Sequence, residues 1–276
     1  MIYTETAVGE TIGRLLGEHP GLDPQAEGAL DNLDQFHIGG ADATGRLIDS
    51  LALTEGDRVL DVGSGFGGPA RQIGRQTGCC VTGIDITPAY VEAARYLTAR
   101  TGLGERVDFR VADVAAFEPD PLFQAAITMH VQMNVEDKAA WFGQIARCLA
   151  PGARLAVWEI VQPQAGDLPR PTPTLPWPMP WSLDGRDSFV VTAGSLRGAI
   201  EEGGFSTIEW ADETAWAQAW MARSFADSRA GADSRAGGPA LPMVLDDGYT
   251  RVINAGVALG DGSLEIWRGA FVRNAE

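Results

Sequence analysis

Apolar and polar positions fall into short runs along this chain, and from residue 57 the runs alternate between two periods. Residues 57–62 (DRVLDV) are nearly continuous apolar and predict a short buried strand. Residues 69–77 follow with helical spacing and a proline in the first turn, where a missing N–H costs nothing. The pattern repeats as a strand over 79–84 (CCVTGI) and a helix from Thr87-Pro88 to residue 100, with Thr87 as N-cap. Further strands are predicted over 107–111 and 123–129 (FQAAITM). An amphipathic helix over 136–149 stops at Pro151-Gly152, and a strand over 153–160 (ARLAVWEI) follows. Strand–helix units in this succession imply an α/β fold, a parallel sheet with helices on both faces.

The alternation breaks after residue 161. Residues 163–181 hold seven prolines and two tryptophans, too irregular for an element and too apolar for a plain linker. They predict a loop folded over the edge of the sheet. Beyond it the pattern predicts a helix over 193–203, a strand over 205–210, and helices near 216–225 and 244–259. A strand over 263–272 follows the Asp261-Gly262 turn. Two late strands separated by helices suit an antiparallel closing strand better than a second domain. The tandem ADSRAG-ADSRAG at 226–237 is small and polar and reads as a surface loop.

Composition narrows the function. The formal charge of −16 over 276 residues repels phosphate backbones and anionic lipid, so neither nucleic acid nor membrane is expected as a partner. Three cysteines, two of them adjacent (Cys79, Cys80), form neither a disulfide framework nor a metal spacing, and no metal is expected. The first residues lack a basic segment followed by an apolar one, and no run approaches 18 apolar residues. Both point to a cytoplasmic protein.

The chemistry concentrates in VLDVGSGFGGPA, residues 59–70. Gly63, Gly65 and Gly68 give the dinucleotide spacing G-x-G-x-x-G; Gly63, Gly65 and Gly67 give G-x-G-x-G after an acid. A dinucleotide places its pyrophosphate at the N-terminus of the first helix. Asp61, two residues before the first glycine, would repel that pyrophosphate. The same acid suits a ligand with an ammonium and a sulfonium, such as S-adenosylmethionine. Asp85 ends the second strand and can accept hydrogen bonds from ribose hydroxyls of either cofactor. Asp113 ends the third strand, where it can meet the exocyclic amine of an adenine.

VLDVGSGFGGPA, VTGIDIT, VADVAAF and LAPGARLAVWEI together resemble the motif series of class I S-adenosylmethionine-dependent methyltransferases, over residues 57–161. NAGVALGDGSLEIWRGAFVR (254–273) resembles the closing helix and strands of the ubiquinone/menaquinone and sarcosine/dimethylglycine type. DNLDQFHIGG (31–40) resembles the N-terminal stretch those enzymes fold over the cofactor. The resemblance implies a Rossmann-like, mostly parallel seven-stranded sheet with an antiparallel last strand. It implies one domain: a helical cap over 1–55, a cofactor-binding core over 56–161, an acceptor-side lid and insertions over 162–192 and 211–260, and a closing strand over 261–276. It sets Gly63, Ser64, Gly65 and Gly67 by the methionine portion, Asp85 and Ile86 by the ribose and adenine, and Asp113 and Val114 at the adenine edge. Gly68 is then a packing glycine at the helix start.

Methyl transfer needs alignment of acceptor and methyl, and a base only where the acceptor must lose a proton. The end of the fourth strand, MHVQMNV, offers His130 as base or cofactor neighbour, with Gln132 and Asn134 to orient an acceptor. His37 is the second candidate base. Glu159, Trp177 and Trp181 are candidate walls for a small apolar or cationic acceptor. The expected reaction is N- or O-methylation of a small metabolite or natural-product intermediate. The alternatives are a non-methylating reaction such as cyclisation on the same fold and, from another class, an NAD-binding oxidoreductase. A homodimer stays open.

Overall fold

The apolar runs of the first half become parallel strands of one sheet in the computed structural model, which describes residues 8–164, 175–230 and 239–275. Three helices come first: α1 (Val8–Glu18), the single-turn α2 (Asp31–Asp34) and α3 (Gly40–Leu51). The strand–helix alternation then runs β1 (Arg58–Val62), α4 (Gly68–Thr77), β2 (Cys80–Asp85), α5 (Pro88–Arg100), β3 (Val107–Val111). It continues through β4 (Phe123–Met129), α6 (Lys138–Cys148) and β5 (Leu149–Val161). The remainder comprises α7 (Ala193–Glu202), β6 (Phe205–Asp212), α8 (Thr214–Ala230), α9 (Gly248–Gly260) and β7 (Glu265–Arg273).

The seven strands lie in the order β3-β2-β1-β4-β5-β7-β6. β1 to β5 pair parallel, and β7 runs antiparallel to both β5 and β6. Period-two alternation buries both faces. On β5, Ala156, Trp158 and Ile160 enter one apolar layer, while Leu155, Val157 and Val161 enter the other. Helices α3 and α4 contribute Leu47 and Ile73 to the first layer; α6 and α7 contribute Phe142 and Leu196 to the second.

Several boundaries moved for local reasons. Thr87 stands at the N-cap of α5, but its hydroxyl caps nothing; its N–H donates to Asp85 Oδ1 at 2.8 Å. Helix α6 starts two residues later than its pattern suggested, because Asp137 accepts the Ala140 N–H at 3.0 Å and caps it. The first ADSRAG copy is not loop at its start: residues 226–230 extend α8, and the rest of the repeat lies outside the described residues. Helix α9 opens at Gly248 rather than 244, after a short 3₁₀ turn at Leu241–Met243.

Candidate functional site

The strand order reverses between β1 and β4, and the carboxyl ends of the strands open there into a cleft of about 390 Å³. This is where a doubly wound sheet forms its ligand crevice, and the volume suits a small-molecule site. Its wall takes Asp61 to Gly65 from β1 and the following loop, Asp85 to Thr87 after β2, and Ala112 to Val114 after β3. Met129 to Val131 come from the end of β4, and Phe36 and His37 from the segment before α3.

The glycine loop is held from below. The N–H groups of Gly63 and Ser64 donate to the Ile84 carbonyl at 2.8 and 3.0 Å, and that of Gly65 to Asp85 Oδ2 at 3.0 Å. Gly63 has φ +77°, and a Cβ there would lie 2.5 Å from the Val131 side chain. Gly67, expected beside the ligand, does not line the cleft. It is the left-handed N-cap of α4, and a Cβ would lie 2.2 Å from the Phe109 ring, so packing dictates it. Gly68 also packs: a Cβ would sit 2.4 Å from the Asp34 carbonyl oxygen.

The three strand-end acids differ in their surroundings. Asp61 is 2 % exposed, and its Oδ2 has no hydrogen-bond partner among the described residues. Burial, then the charge of Asp85, push its pKa up to about 7, against the Arg71 charge and the Ala70 N–H. Asp85 also has a raised pKa through burial, opposed by the N–H groups of Thr87 and Gly65 that its two oxygens accept. Asp113 is exposed, and its Oδ1 caps the next turn by accepting the Ala115 N–H at 2.9 Å. Ile86 stands at the rim, half exposed, and Val114 is buried in the wall.

His130 takes φ +53°, an uncommon left-handed conformation for a side chain beyond glycine. Its N–H donates to the Trp158 carbonyl at 2.9 Å, and its buried Nε2 has no partner among the described residues. Burial, and the neighbouring His37, hold its pKa well below the usual imidazole value. The two rings meet edge to face with centroids 6.1 Å apart. His37 Nε2 lies 2.9 Å from the Gly40 carbonyl, so it carries the proton and Nδ1 is the bare nitrogen. Its pKa is lowered to about 4 by burial. Both rings are therefore neutral at pH 7.

Of the candidate acceptor residues, only Asn134 lines the cleft. Gln132 is wholly buried and donates from Nε2 to the Ile160 carbonyl at 2.6 Å. Glu159 is also wholly buried, behind the cleft wall, where its carboxyl accepts the Val131 N–H at 3.1 Å. Trp181 packs with Met179 in the layer under Trp158 and donates to Ser188 Oγ at 2.9 Å; Trp177 covers Gly185. No described residue of 162–192 or 211–260 lines the cleft; residues 165–174 and 231–238 of the expected lid lie outside the described residues.

Phe36, Tyr90 and Trp141 line the cleft and escaped the polar motif reading. Phe36 and Tyr90 join Phe66 in an aromatic trio, with centroids 5.0 to 5.9 Å apart. A buried ion pair with no local sequence signal backs the same wall. Arg71 of α4 donates to Asp34 Oδ2 at 2.7 Å and to the Phe66 carbonyl at 2.6 Å, tying α2 to the glycine loop. Among the described residues no helix is long and apolar enough to cross a membrane.

Comparison with known proteins agrees with this geometry. Residues 59–152 match a family described as a methyltransferase domain. A sterol 24-C-methyltransferase of Eremothecium gossypii is 33% identical over 45% of this chain and 34% of its own length. A demethylmenaquinone methyltransferase of Tropheryma whipplei is 36% identical over 41% of this chain and 46% of its own. The chain thus spans between a third and a half of these curated relatives. Among solved structures, the [4+2]-cyclase SpnF shares the fold with a TM-score of 0.67 at 22% identity, covering 99% of this chain and 98% of that one.

Proposed function

We propose that this chain is a class I S-adenosylmethionine-dependent methyltransferase that transfers a methyl group to nitrogen or oxygen of a small-molecule acceptor; the methyltransferase-domain match over residues 59–152 supports the reading. The observation that carries the reading is a set of three buried polar atoms around one cleft, Asp61 Oδ2, Ser64 Oγ and His130 Nε2, with no partner among the described residues. Buried polar atoms are rarely left unsatisfied, and a polar ligand in the cleft supplies what they lack.

The donor set fits the cofactor. Asp61 would hold the ammonium of the methionine tail, and Gly63, Ser64 and Gly65 let the chain pass close to it. Both oxygens of Asp85 accept backbone N–H groups and keep further lone pairs for ribose hydroxyls. Ile86 and Val114 would flank the adenine, with Asp113 at its edge. When bound, the cofactor supplies a methyl group activated by positive sulfur.

The chain then has three tasks: to align the acceptor, to exclude water and to move a proton. Asn134 would orient the acceptor, while Phe36, Tyr90 and Trp141 keep the site dry. His130, neutral and with no partner for Nε2 among the described residues, would take the proton from an acceptor N–H or O–H. His37, beside it, would close the wall, its Nδ1 a second proton acceptor.

The test is incubation with S-adenosylmethionine and a panel of amines and alcohols, read by mass spectrometry for one added methyl. His130→Asn is expected to lower turnover by roughly 10²–10⁴ while S-adenosylhomocysteine binds as before. Wild-type turnover in that variant would remove the base role. Intact cofactor binding with no methylated product across the panel would move the reading to non-methylating chemistry.

A further inference from the structure

We infer that Glu159, the buried acid behind the cleft, is the positioning residue for His130: its carboxyl holds the left-handed turn that presents the imidazole. The inference rests on the proposed role of His130. Strand β4 is in register with β5 up to Met129 opposite Trp158. The His130 N–H continues the ladder one step, to the Trp158 carbonyl. At φ +53° the chain then leaves the sheet, and the next donor, the Val131 N–H, has no strand carbonyl to meet. Glu159 meets it, with Oε2 at 3.1 Å and Oε1 at 3.4 Å, while the Thr128 hydroxyl donates to Oε1 at 3.3 Å. The Gln132 side chain ties the far end of the turn to Ile160. A side chain of β5 thus replaces the missing backbone of the sheet.

A glutamine would present a single acceptor oxygen and an amide donor, whereas both carboxyl oxygens of Glu159 accept, from the Val131 N–H and the Thr128 hydroxyl. Burial raises the Glu159 pKa to about 8, against the N–H groups of Val131 and Gln132, the Thr128 hydroxyl and the Lys138 charge. Lys138 of α6 is lowered to about 8 by burial and donates to the carbonyls of Val135 and Phe189. Beyond the turn the facing groups are His130 and His37, both neutral. Below pH 8 one Glu159 oxygen carries a proton. Above it, all the donors meet a carboxylate, and charge-assisted bonds are the stronger ones. The turn therefore tightens as pH rises through about 8.

The chain has three histidines, which makes ¹⁵N-histidine NMR assignable by single substitutions at His19 and His37. The wild-type His130 ring signal is expected to move with a midpoint near 8 while the ring stays neutral. Glu159→Gln should hold the signal at its low-pH position, although Lys138 still titrates there. Above that midpoint the variant's kcat should lie about threefold below wild type, with the cofactor KM unchanged. A wild-type signal that does not move, or one that moves equally in Glu159→Gln, overturns the inference. The NMR readout needs no turnover, so it stands apart from the fate of His130 as base: an active His130→Asn variant removes that role, not the coupling.

Discussion

Asp61 lies beneath the glycine loop with one oxygen unpartnered, so before a cation arrives a proton is its cheapest partner. With its pKa raised to about 7, an ammonium nearby would favour the charged form and lower that value. Binding then releases a proton below pH 7, and affinity for S-adenosylhomocysteine should climb with pH up to about 7 and level off above it. Calorimetry in buffers of different ionisation enthalpy measures the released proton; an Asp61→Asn variant should bind more weakly and release none. In the free protein the sign is opposite. The folded state keeps a proton on Asp61 that the unfolded chain loses above 3.8, so this acid costs stability as pH rises from 3.8 through about 7. Asp61, Asp85, Asp113 and His130 were legible in the sequence because each marks a strand end, and strand ends in such a sheet face one crevice. Glu159 and Gln132 were named for the acceptor, yet both side chains are buried behind the cleft wall: alternation along β5 does not tell which way Glu159 turns, and Gln132 lies in a 3₁₀ turn with no strand period.

At the level of elements, the loop between β1 and α4 depends on glycines with different duties. Gly67→Ala would force a left-handed alanine and press its methyl into the Phe109 ring. A loss of about 2–4 kcal/mol in denaturant unfolding is expected. Gly63→Ala instead meets Val131, next to His130. Its damage should appear in kcat beyond what its lost stability explains. The junction of α2 with α4 rests on Arg71 and Asp34, whose side chains are 3 % and 5 % exposed. Arg71→Met strands a buried carboxyl whose pKa burial already raises to about 6. It should cost about 3–5 kcal/mol and expose residues 31–40 to limited proteolysis. That pair was invisible in sequence, since its members are 37 positions apart and nothing local couples them. The strand–helix units from β1 to β5 were legible because local period carries them. In the proline-rich stretch Trp177 and Trp181 give an apolar signal, and that signal does not say whether core or ligand receives it.

For the whole molecule, the net charge of −16 means the folded chain repels itself. Sodium chloride raised to about 0.5 M shortens the screening length to a few ångströms, and the thermal midpoint should rise with it; a midpoint unmoved or lowered by salt would show that local ion pairs outweigh the global field. The sheet's outline was legible in the count of apolar runs. The seat of the last strand was not, because pairing between distant segments leaves no local trace. β7 is made last yet fills an interior position, between β5 and β6. During synthesis β6 therefore leaves the ribosome with no neighbour, and β5 waits with an open edge until residues 265–273 follow. Nascent chains stalled before Glu265 should stay protease-sensitive and bind chaperones, whereas chains with β7 clear of the exit tunnel should resist digestion. Birth order, and not stability alone, then sets when this protein is safe from aggregation.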